Sequence, residues 1–582
     1  MLLKIILKKV FITFFFLYLK LYFINGKIVA VFERNDNMDR KEDADFLLKT
    51  EHDYEYYEKK YPKRNLKDGA MVTRLAPSPT GFVHLGSLDV GFVDRIMASQ
   101  SDGICYLRIE DTDTKRTVEN GINEIIDSLD KFGITFDEGV TKDGEIGEYG
   151  PYIQSKREDI YKAFAKKLII EDKAYPCFCS HEDVEHIKEV QTKNKEQLGY
   201  YGRWAKCRKL TMEDVIERVN NGEKYIIRLK SRGNPNHRIK FRDEIVGKME
   251  IPQNNQDLII IKSDGLPTYH FAHAVDDHLM GTTHVIRGEE WLASLDKHID
   301  LFENLGFELP KYAHISTLMV DDNGTRRKLS KRKDPWAAVS YYHKQGIPNE
   351  ALVLYMATIT NSNFEMWMNQ NKDKSYKDFE FSFKKMPKGG TMYDYDKIIN
   401  ISKNFISTLK AEDVYNRALE YALEYDKELY DLLIKYKDYS IGVFNIEREQ
   451  KKPRKDIATF SDVRDQVWYM YDELYKPSNY EWQKVTDKDE IINVVSTYLD
   501  KYDADDDKDT WFNKMKEVAS TLGYAGEMKL YKENPDNYKG SIADFSTILR
   551  VTLTSKSNTP DLYEIMRLLG KTRMEERLDM IK

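Results

Sequence analysis

The sequence predicts an α/β protein: a doubly wound parallel sheet split by a smaller inserted domain, then an all-helical region. Three observations carry this. From about residue 70, short apolar runs alternate with amphipathic stretches, the pattern of strand–helix–strand units. Residues 177–255 break the pattern with clustered cysteines, a polar helix and short strands. Beyond about residue 390 strand signals fade and helical periodicity takes over.

Residues 71–75 form an apolar run that stops at Ala76-Pro77, because proline has no N–H to give a sheet. Residues 87–101 place Val90, Val93, Ile96 and Met97 at helical spacing. ICYLRI at 104–109 reads as a strand, and 120–132 and 157–170 as helices. Inside the insertion, 225–229 is a strand; 258–262 and 283–287 then resume the buried strands. Two long helices are expected at 409–434 and 459–474. In the last helix Thr559 caps, Pro560 takes the first position, and Leu562, Ile565, Met566 and Leu569 follow at helical spacing before Gly570 ends it. No internal repeat is visible.

The 582 residues carry 90 basic and 97 acidic side chains, a formal charge of -7 that argues against a general nucleic-acid binder and leaves room for a local basic track. With only four cysteines (Cys105, Cys177, Cys179, Cys207) a disulfide scaffold is excluded and a reducing compartment is expected. The apolar run at 10–19, behind Lys8 and Lys9, is ten residues long. That is too short for a bilayer core of about 30 Å, and no small-x-small cleavage site follows. Met38 precedes an acidic, aromatic stretch, so translation is expected to start near Met38, with organelle targeting as the alternative. A cytoplasmic protein without membrane association is expected.

Two runs carry chemistry. Arg74-Leu-Ala-Pro-Ser-Pro-Thr-Gly-Phe-Val-His84-Leu-Gly86-Ser87 goes from a strand end through a Pro/Gly turn into a helix start. A helix N-terminus offers unpaired N–H groups and a positive dipole end to a phosphate. Gly81 and Gly86 let backbone approach a ligand closely, and His84 can donate to a phosphate oxygen. Taken alone, the run also reads as a proline-rich turn with a structural histidine. The second, Gly324-Thr-Arg-Arg-Lys328-Leu-Ser330-Lys331-Arg332-Lys333, holds six basic side chains in ten residues and no acid. Such runs are usually solvated faces or nucleic-acid patches. The glycine points to a mobile loop, able to close lysine charge over a reacting polyphosphate.

Together these blocks resemble the class I aminoacyl-tRNA synthetases, and among them the bacterial-type glutamyl-tRNA synthetases. His84-Leu-Gly-Ser87 is similar to the HIGH signature, with Leu and Ser departing at its second and fourth positions; Lys328-Leu-Ser-Lys-Arg332 is similar to KMSKS. TRLAPSPTGFVHLGS, Arg108-Ile-Glu-Asp-Thr-Asp113, Ser263-Asp-Gly-Leu-Pro-Thr-Tyr-His270, Val275-Asp-Asp-His278 and Val285-Ile-Arg-Gly-Glu-Glu-Trp291 follow in the family's order, and ILRVTLTSKSNTPDLYEIMRLLGK matches its last domain. The resemblance covers about 55–582.

The resemblance implies a class I Rossmann-type sheet and five regions. These are an N-terminal extension at 1–37, a further extension with the first Rossmann half and HIGH-like motif at 38–172, and an inserted acceptor-stem-binding domain at 173–257. The second Rossmann half with a stem-contact region and KMSKS-like loop follows at 258–394, and a helical anticodon-binding domain at 395–582. It implies ATP-dependent activation of L-glutamate to glutamyl-adenylate and its transfer to the terminal ribose of the glutamate-accepting tRNA, by a monomer. The glutamine-accepting tRNA is a second candidate acceptor. His84, Lys328 and Lys331 would be catalytic. Thr80, Gly86, Ser87 and Ser330 would join them in binding ATP with Mg²⁺. Arg74, Tyr269 and Arg287 would hold the side-chain carboxylate, Glu110 the ammonium, with Ser78 and His273 completing the glutamate site. His273 stands where the family often has Asn. Glu289, Glu290 and Trp291 are secondary candidates for lining. Salt bridges and a core aromatic would explain Arg74, Arg287 and Tyr269 equally, except that buried unpaired arginines are costly. Cys177-x-Cys179 and Cys207 suit a structural Zn²⁺, completed by Tyr201, His181 or His186; three buried free thiols explain the same residues.

The nearest rival is a glutaminyl-tRNA synthetase, against which APSPTG and RIEDTD resemble the glutamyl type. A truncated glutamyl-queuosine synthetase lacks the helical tail. A dead RNA-binding derivative would tolerate loss of His84 or Lys331, and an RNA-free adenylyltransferase needs no distant helical domain. A chain that starts at Met38 is expected to be soluble and fully active in aminoacylation, since no chemical motif precedes Arg74; an insoluble or inactive product would contradict this.

Overall fold

The computed structural model describes residues 19–24, 27–32, 36–79, 83–113, 120–330 and 332–582, with side chains from residue 40 onward. It comprises two compact units, residues 1–337 with 356–393, and residues 338–355 with 394–582. Of the apolar segment 1–24, residues 1–18 lie outside the described residues; Leu19–Ile24 pairs antiparallel with Lys27–Phe32.

In the first unit Val72–Leu75, Ile104–Leu107 and Glu138–Thr141 run parallel, and Gly144–Ile146 closes the edge antiparallel. A second parallel pair is His284–Gly288 with Lys311–Ile315. The two pieces meet where the Thr283 N–H donates to the Val72 carbonyl at 3.0 Å and the Val72 N–H donates to Thr283 Oγ1 at 2.8 Å. All four residues of Val72–Leu75 are buried, as a strand covered on both faces requires. The helix Leu85–Gln100 packs Leu88, Phe92, Val93 and Ile96 inward. The helices expected at 120–132 and 157–170 are present as Gly121–Lys131 and Glu158–Ile170.

The insertion has its own antiparallel sheet, Ala174–Cys177, Ile226–Leu229 and Ile259–Ile261. The run at 258–262, expected to resume the parallel sheet, therefore completes the insertion's sheet instead. A continuous apolar run fits any buried strand and does not say which sheet buries it. The hairpin Arg238–Asp243 with Gly247–Pro252 shows the period of two. Ile239 and Phe241 pack beside Val285, Ile299 and Tyr312, whereas Arg238, Lys240 and Arg242 are exposed.

The second unit is helical around one buried cluster that includes Val414, Leu433, Phe444, Val494, Phe545 and Ile565. Three expectations there need correction. The stretch 409–434 is two helices, Ala411–Tyr425 and Lys427–Lys435, because Asp426 leaves the helix to accept from the Leu429 N–H and to pair with Arg464. The stretch 459–474 is a chain of short turns, Phe460–Asp462, Val463–Val467 and Trp468–Met470. The last helix, Leu562–Asp579, is capped by Asp561, which accepts from the Glu564 N–H at 3.2 Å. Thr559 accepts from Arg550 instead. Gly570 breaks the helix as expected, at φ 74°, and helix resumes beyond it. No helix among the described residues is long and apolar enough to cross a membrane.

The most polar part of the core lies under the sheet. Asp276 and Asp277, on the helix Tyr269–Leu279, are buried side by side. Asp276 accepts from Arg157 Nε at 2.7 Å, Tyr161 at 2.8 Å and Gln154 at 2.9 Å. Asp277 accepts from Arg108 Nη1 at 2.7 Å and Arg74 Nε at 3.2 Å. Asp276→Asn should lower the unfolding free energy of this unit by about 3–5 kcal/mol, since it leaves buried guanidinium charge uncompensated. Urea unfolding followed by intrinsic fluorescence measures this; a loss below about 1 kcal/mol would assign Asp276 no such part.

Candidate active site

A cavity of about 1430 Å³ opens where the parallel strands end, lined by residues at or just past those ends: Ala76 and Pro77, Glu110, Gly288, and Ser316. This is where open α/β sheets bind ligands. Arg74, Ser78, His84, Gly86, Ser87, Glu110, Tyr269, Arg287, Lys328 and Ser330 all line it. Thr80, Gly81 and Lys331 lie outside the described residues.

On one side stands the start of the helix Leu85–Gln100. His84 is its N-cap: Nδ1 accepts from the Ser87 N–H at 3.1 Å. The neutral ring then carries its proton on Nε2, which lies 3.0 Å from Ser87 Oγ. A Cβ on Gly86 would lie 3.2 Å from the imidazole, so the glycine makes room for that ring. Also in the wall, the first part of the basic run, expected to be a mobile loop, is the second strand of a hairpin. Leu318–Asp322 and Thr325–Lys328 form a hairpin around Asn323 and Gly324, both at positive φ. Asn-Gly is the strong signal for this two-residue turn. Arg327 pairs through both Nη atoms with Asp334, whose carboxylate also accepts from the Ser330 N–H at 2.7 Å. Lys328 Nζ, more than half exposed, lies 3.1 Å from Glu290. Asp89, one turn into the helix and also in the wall, is pushed up to about 7 by burial, which the hydrogen bond from Thr360 only partly offsets.

The opposite side holds the charges. Arg287 is buried, with Nη2 unpartnered. Its guanidinium lies 4.8 Å from the centre of the Tyr312 ring. Arg74 reaches the same cavity while its Nε is held by Asp277. Burial alone pushes Asp277 up, yet Arg74, Arg108 and His273 hold its carboxyl well below the usual range. Glu110 accepts from Arg108 Nη2 at 3.1 Å, and burial raises it despite Arg108 and Arg74. Ser78 donates to the Glu110 carbonyl at 2.9 Å, which ties the turn after Arg74 to the Arg108–Asp113 block. The Tyr269 and Trp291 rings lie tilted against each other in the wall, centroids 4.5 Å apart.

His273, expected among the glutamate contacts, does not reach the cavity wall. Its Nε2 lies 3.0 Å from the Tyr312 hydroxyl and its Nδ1 lies 2.7 Å from Asp277, outside hydrogen-bond geometry. It sits four residues after Tyr269, one helical turn deeper. Three further residues behind Arg287 escaped the sequence reading: His298, His314 and Asp243. One signal existed for Asp243, an acid at an inward position of an alternating strand.

Cys177, Cys179 and Cys207 bring their sulfurs within 4.8 Å of one another. Cys179 and Cys207 are 3.7 Å apart, near the about 3.8 Å that tetrahedral zinc–thiolate bonds of 2.3 Å require. Hydrogen bonds from Cys179 and Cys207 hold the Cys177 thiol below its usual range. The tyrosine beside them is Tyr200, its hydroxyl 3.2 Å from Cys179 Sγ. Tyr201, the expected fourth ligand, instead donates to the Gln197 carbonyl at 2.7 Å. Composition cannot separate two adjacent tyrosines; the turn that follows decides which one faces inward. His181 and His186 are not in the group.

Burial lowers His270 to about 4 and His273 to about 3, with Lys297 and Arg287 adding to the first and Asp277 opposing the second. The unfolded rings take a proton at about 6.5. Their contribution to stability is therefore complete above that pH and is lost as the pH falls through about 4. Imidazole ¹⁵N NMR should show both neutral at about pH 5.5; titration near 6.5 would contradict their burial.

Residues 70–386 match the family model "tRNA synthetases class I (E and Q), catalytic domain", and residues 428–582 match "Anticodon binding domain". The glutamate–tRNA ligase of Clostridium perfringens strain 13 is 48% identical over 528 residues, covering 90% of this chain and 97% of that protein. The glutamate–tRNA ligase of Acetivibrio thermocellus is 45% identical over 546 residues, covering 94% and 100%. A solved glutamate tRNA ligase from Elizabethkingia meningosepticum shares the fold at a TM-score of 0.72 and 23% identity, over 88% of this chain and 99% of that one. With its cavity at the strand ends and a helical unit behind it in sequence, this chain belongs to the glutamate–tRNA ligases of class I.

Proposed function

We propose that, in this ATP-using ligation of glutamate to tRNA, the cavity divides between its two small substrates. Arg74, Ser78, Glu110, Tyr269 and Arg287 hold glutamate; Thr80, His84, Gly86, Ser87, Lys328, Ser330 and Lys331 hold ATP with Mg²⁺. A glutamate α-carboxylate oxygen attacks the α-phosphorus, and the bond to pyrophosphate breaks as the new O–P bond forms. The terminal ribose hydroxyl of the tRNA then takes the glutamyl group and AMP leaves. Neither step needs a protein nucleophile; position and charge neutralisation suffice. The helix start at Leu85 and Gly86 would offer N–H groups to phosphate oxygens, the Ser87 N–H being taken by His84. Lys328 would exchange Glu290 for a phosphate.

One observation carries this division: the unpartnered Arg287 Nη2, buried in a wall shared with Arg74 and Glu110. A fork left open beside a second arginine fits an anionic side chain, and Glu110 fits the ammonium. Arg287→Gln should raise the glutamate KM strongly, since losing a charged partner in a closed site costs about 2–5 kcal/mol. The ATP KM should stay within about twofold, equivalent to about 0.4 kcal/mol. A glutamate KM equally unmoved in steady-state aminoacylation would make Arg287 structural. Lys331→Ala should slow activation at least about a hundredfold with glutamate binding intact; a near-normal pyrophosphate-exchange rate would remove that role.

We further assign acceptor-stem binding to 173–257, stem contact to part of 258–394 and anticodon binding to 395–582. The exposed Arg238, Lys240 and Arg242 support the first. The enzyme acts as a cytoplasmic monomer. Charging of each purified tRNA separates an enzyme restricted to the glutamate acceptor from one that also charges the glutamine acceptor. Zn²⁺ is assigned to Cys177, Cys179, Cys207 and Tyr200, as a structural ion. Elemental analysis should find about one zinc per chain, lost in Cys179→Ser; metal-free protein of full stability would overturn the assignment.

A further inference from the structure

Arg287 is held from behind by buried groups that do not line the cavity. Its Nε donates to His314 Nε2 at 3.1 Å, and its Nη1 lies 3.1 Å from His298 Nδ1. His314 Nδ1 lies 2.6 Å from Asp243 Oδ2, and His298 Nε2 lies 2.9 Å from His270 Nδ1. Arg287 is 5% exposed, His314 and Asp243 1%, and His298 0%.

The donors fix the protons. A guanidinium only donates, so His314 Nε2 and His298 Nδ1 must both accept. Each neutral ring then carries its proton on the other nitrogen. His314 donates to Asp243, and His298 donates to His270. The carboxylate of Asp243 is itself anchored, accepting from the Ile245 and Val246 N–H groups at 2.9 Å each. These bonds belong to the hairpin turn after Arg238–Asp243, whose other face presents Arg238, Lys240 and Arg242 outward.

We propose that Asp243 and His314 are positioning residues for glutamate selection: the inserted hairpin, through one imidazole, sets the Arg287 fork. This rests on Arg287 receiving the glutamate side chain. Two consequences follow from the chemistry. Among the described residues the hydrogen-bond partners of Arg287 are imidazoles, not carboxylates, so no direct ion pair neutralises its charge before substrate arrives. Asp243 stands one ring away, close enough to fix the His314 tautomer and unable to reach the fork. A carboxylate placed directly on the fork would compete with the substrate's own.

The test compares Asp243→Asn, His314→Ala, His314→Gln and Arg287→Gln in steady-state aminoacylation with saturating glutamate-accepting tRNA, reading glutamate KM, ATP KM and kcat separately. His314→Ala should raise the glutamate KM at least about tenfold while the ATP KM stays within about twofold. Asp243→Asn should move the glutamate KM in the same direction by about three- to tenfold. His314→Gln, whose side-chain oxygen can stand in for Nε2 as acceptor, should restore most of the loss. A merely structural part predicts lower kcat or less active enzyme, with no selective change in glutamate KM and no rescue by Gln. If Arg287→Gln raises the glutamate KM while Asp243→Asn and His314→Ala leave it within about twofold, the positioning role is wrong. If Arg287→Gln also leaves it unchanged, the glutamate assignment beneath it fails.

Discussion

The catalytic unit depends on two adjacent buried carboxylates, Asp276 and Asp277. They sit on the helix that also carries Tyr269 into the cavity. Asp276 binds Arg157 and Tyr161, which fastens that helix to Glu158–Ile170 and the turn before it. Asp277 binds Arg74 and Arg108, one at the end of Val72–Leu75 and one just past Ile104–Leu107. Arg108 in turn holds Glu110. Buried ion pairs of this kind add little net stability against burial in apolar packing; their effect is to fix where charges stand. Here they fix one cation and one anion of the cavity wall, Arg74 and Glu110, relative to each other.

The two cavity arginines are held by different means. Arg74 is tied to a full carboxylate through Nε. Arg287 is tied to neutral imidazoles and lies over the Tyr312 ring. Arg287 thus brings to the wall a positive charge that no carboxylate among the described residues pairs with directly. A glutamine amide gains less from such a fork than a carboxylate does, because charge-assisted bidentate bonds are about twice as strong as neutral ones. Elsewhere in the wall stand a helix start, whose dipole favours an anion, and the exposed Lys328, whose pairing with Glu290 is exchanged at low cost.

Much of this was legible in the sequence because it depends on local chemistry. Pro77 stops a strand, a helix starts at the His84 block, and the blocks containing Arg74, Glu110, Tyr269 and Arg287 meet in one cavity. What stayed hidden depends on contacts between distant segments. Asp243 and His314 are 71 residues apart and carry no joint signal. His273 matched a family position, but two buried partners draw its ring away from the cavity. Gly324 was read as opening a loop, whereas Asn323-Gly324 together specify a hairpin turn. In the helical unit, Asp426 broke a periodic stretch because a cap and an arginine partner outweigh helix propensity there.

A structure with L-glutamate bound tests the central claim most directly. The side-chain carboxylate should lie about 2.7–2.9 Å from the Arg287 fork, as charge-assisted pairs do, with Arg74 on the same ligand and Arg287 Nε still on His314. The ammonium should face Glu110. A side-chain carboxylate bound elsewhere, or an Arg287 that leaves His314 to reach it, would contradict the account.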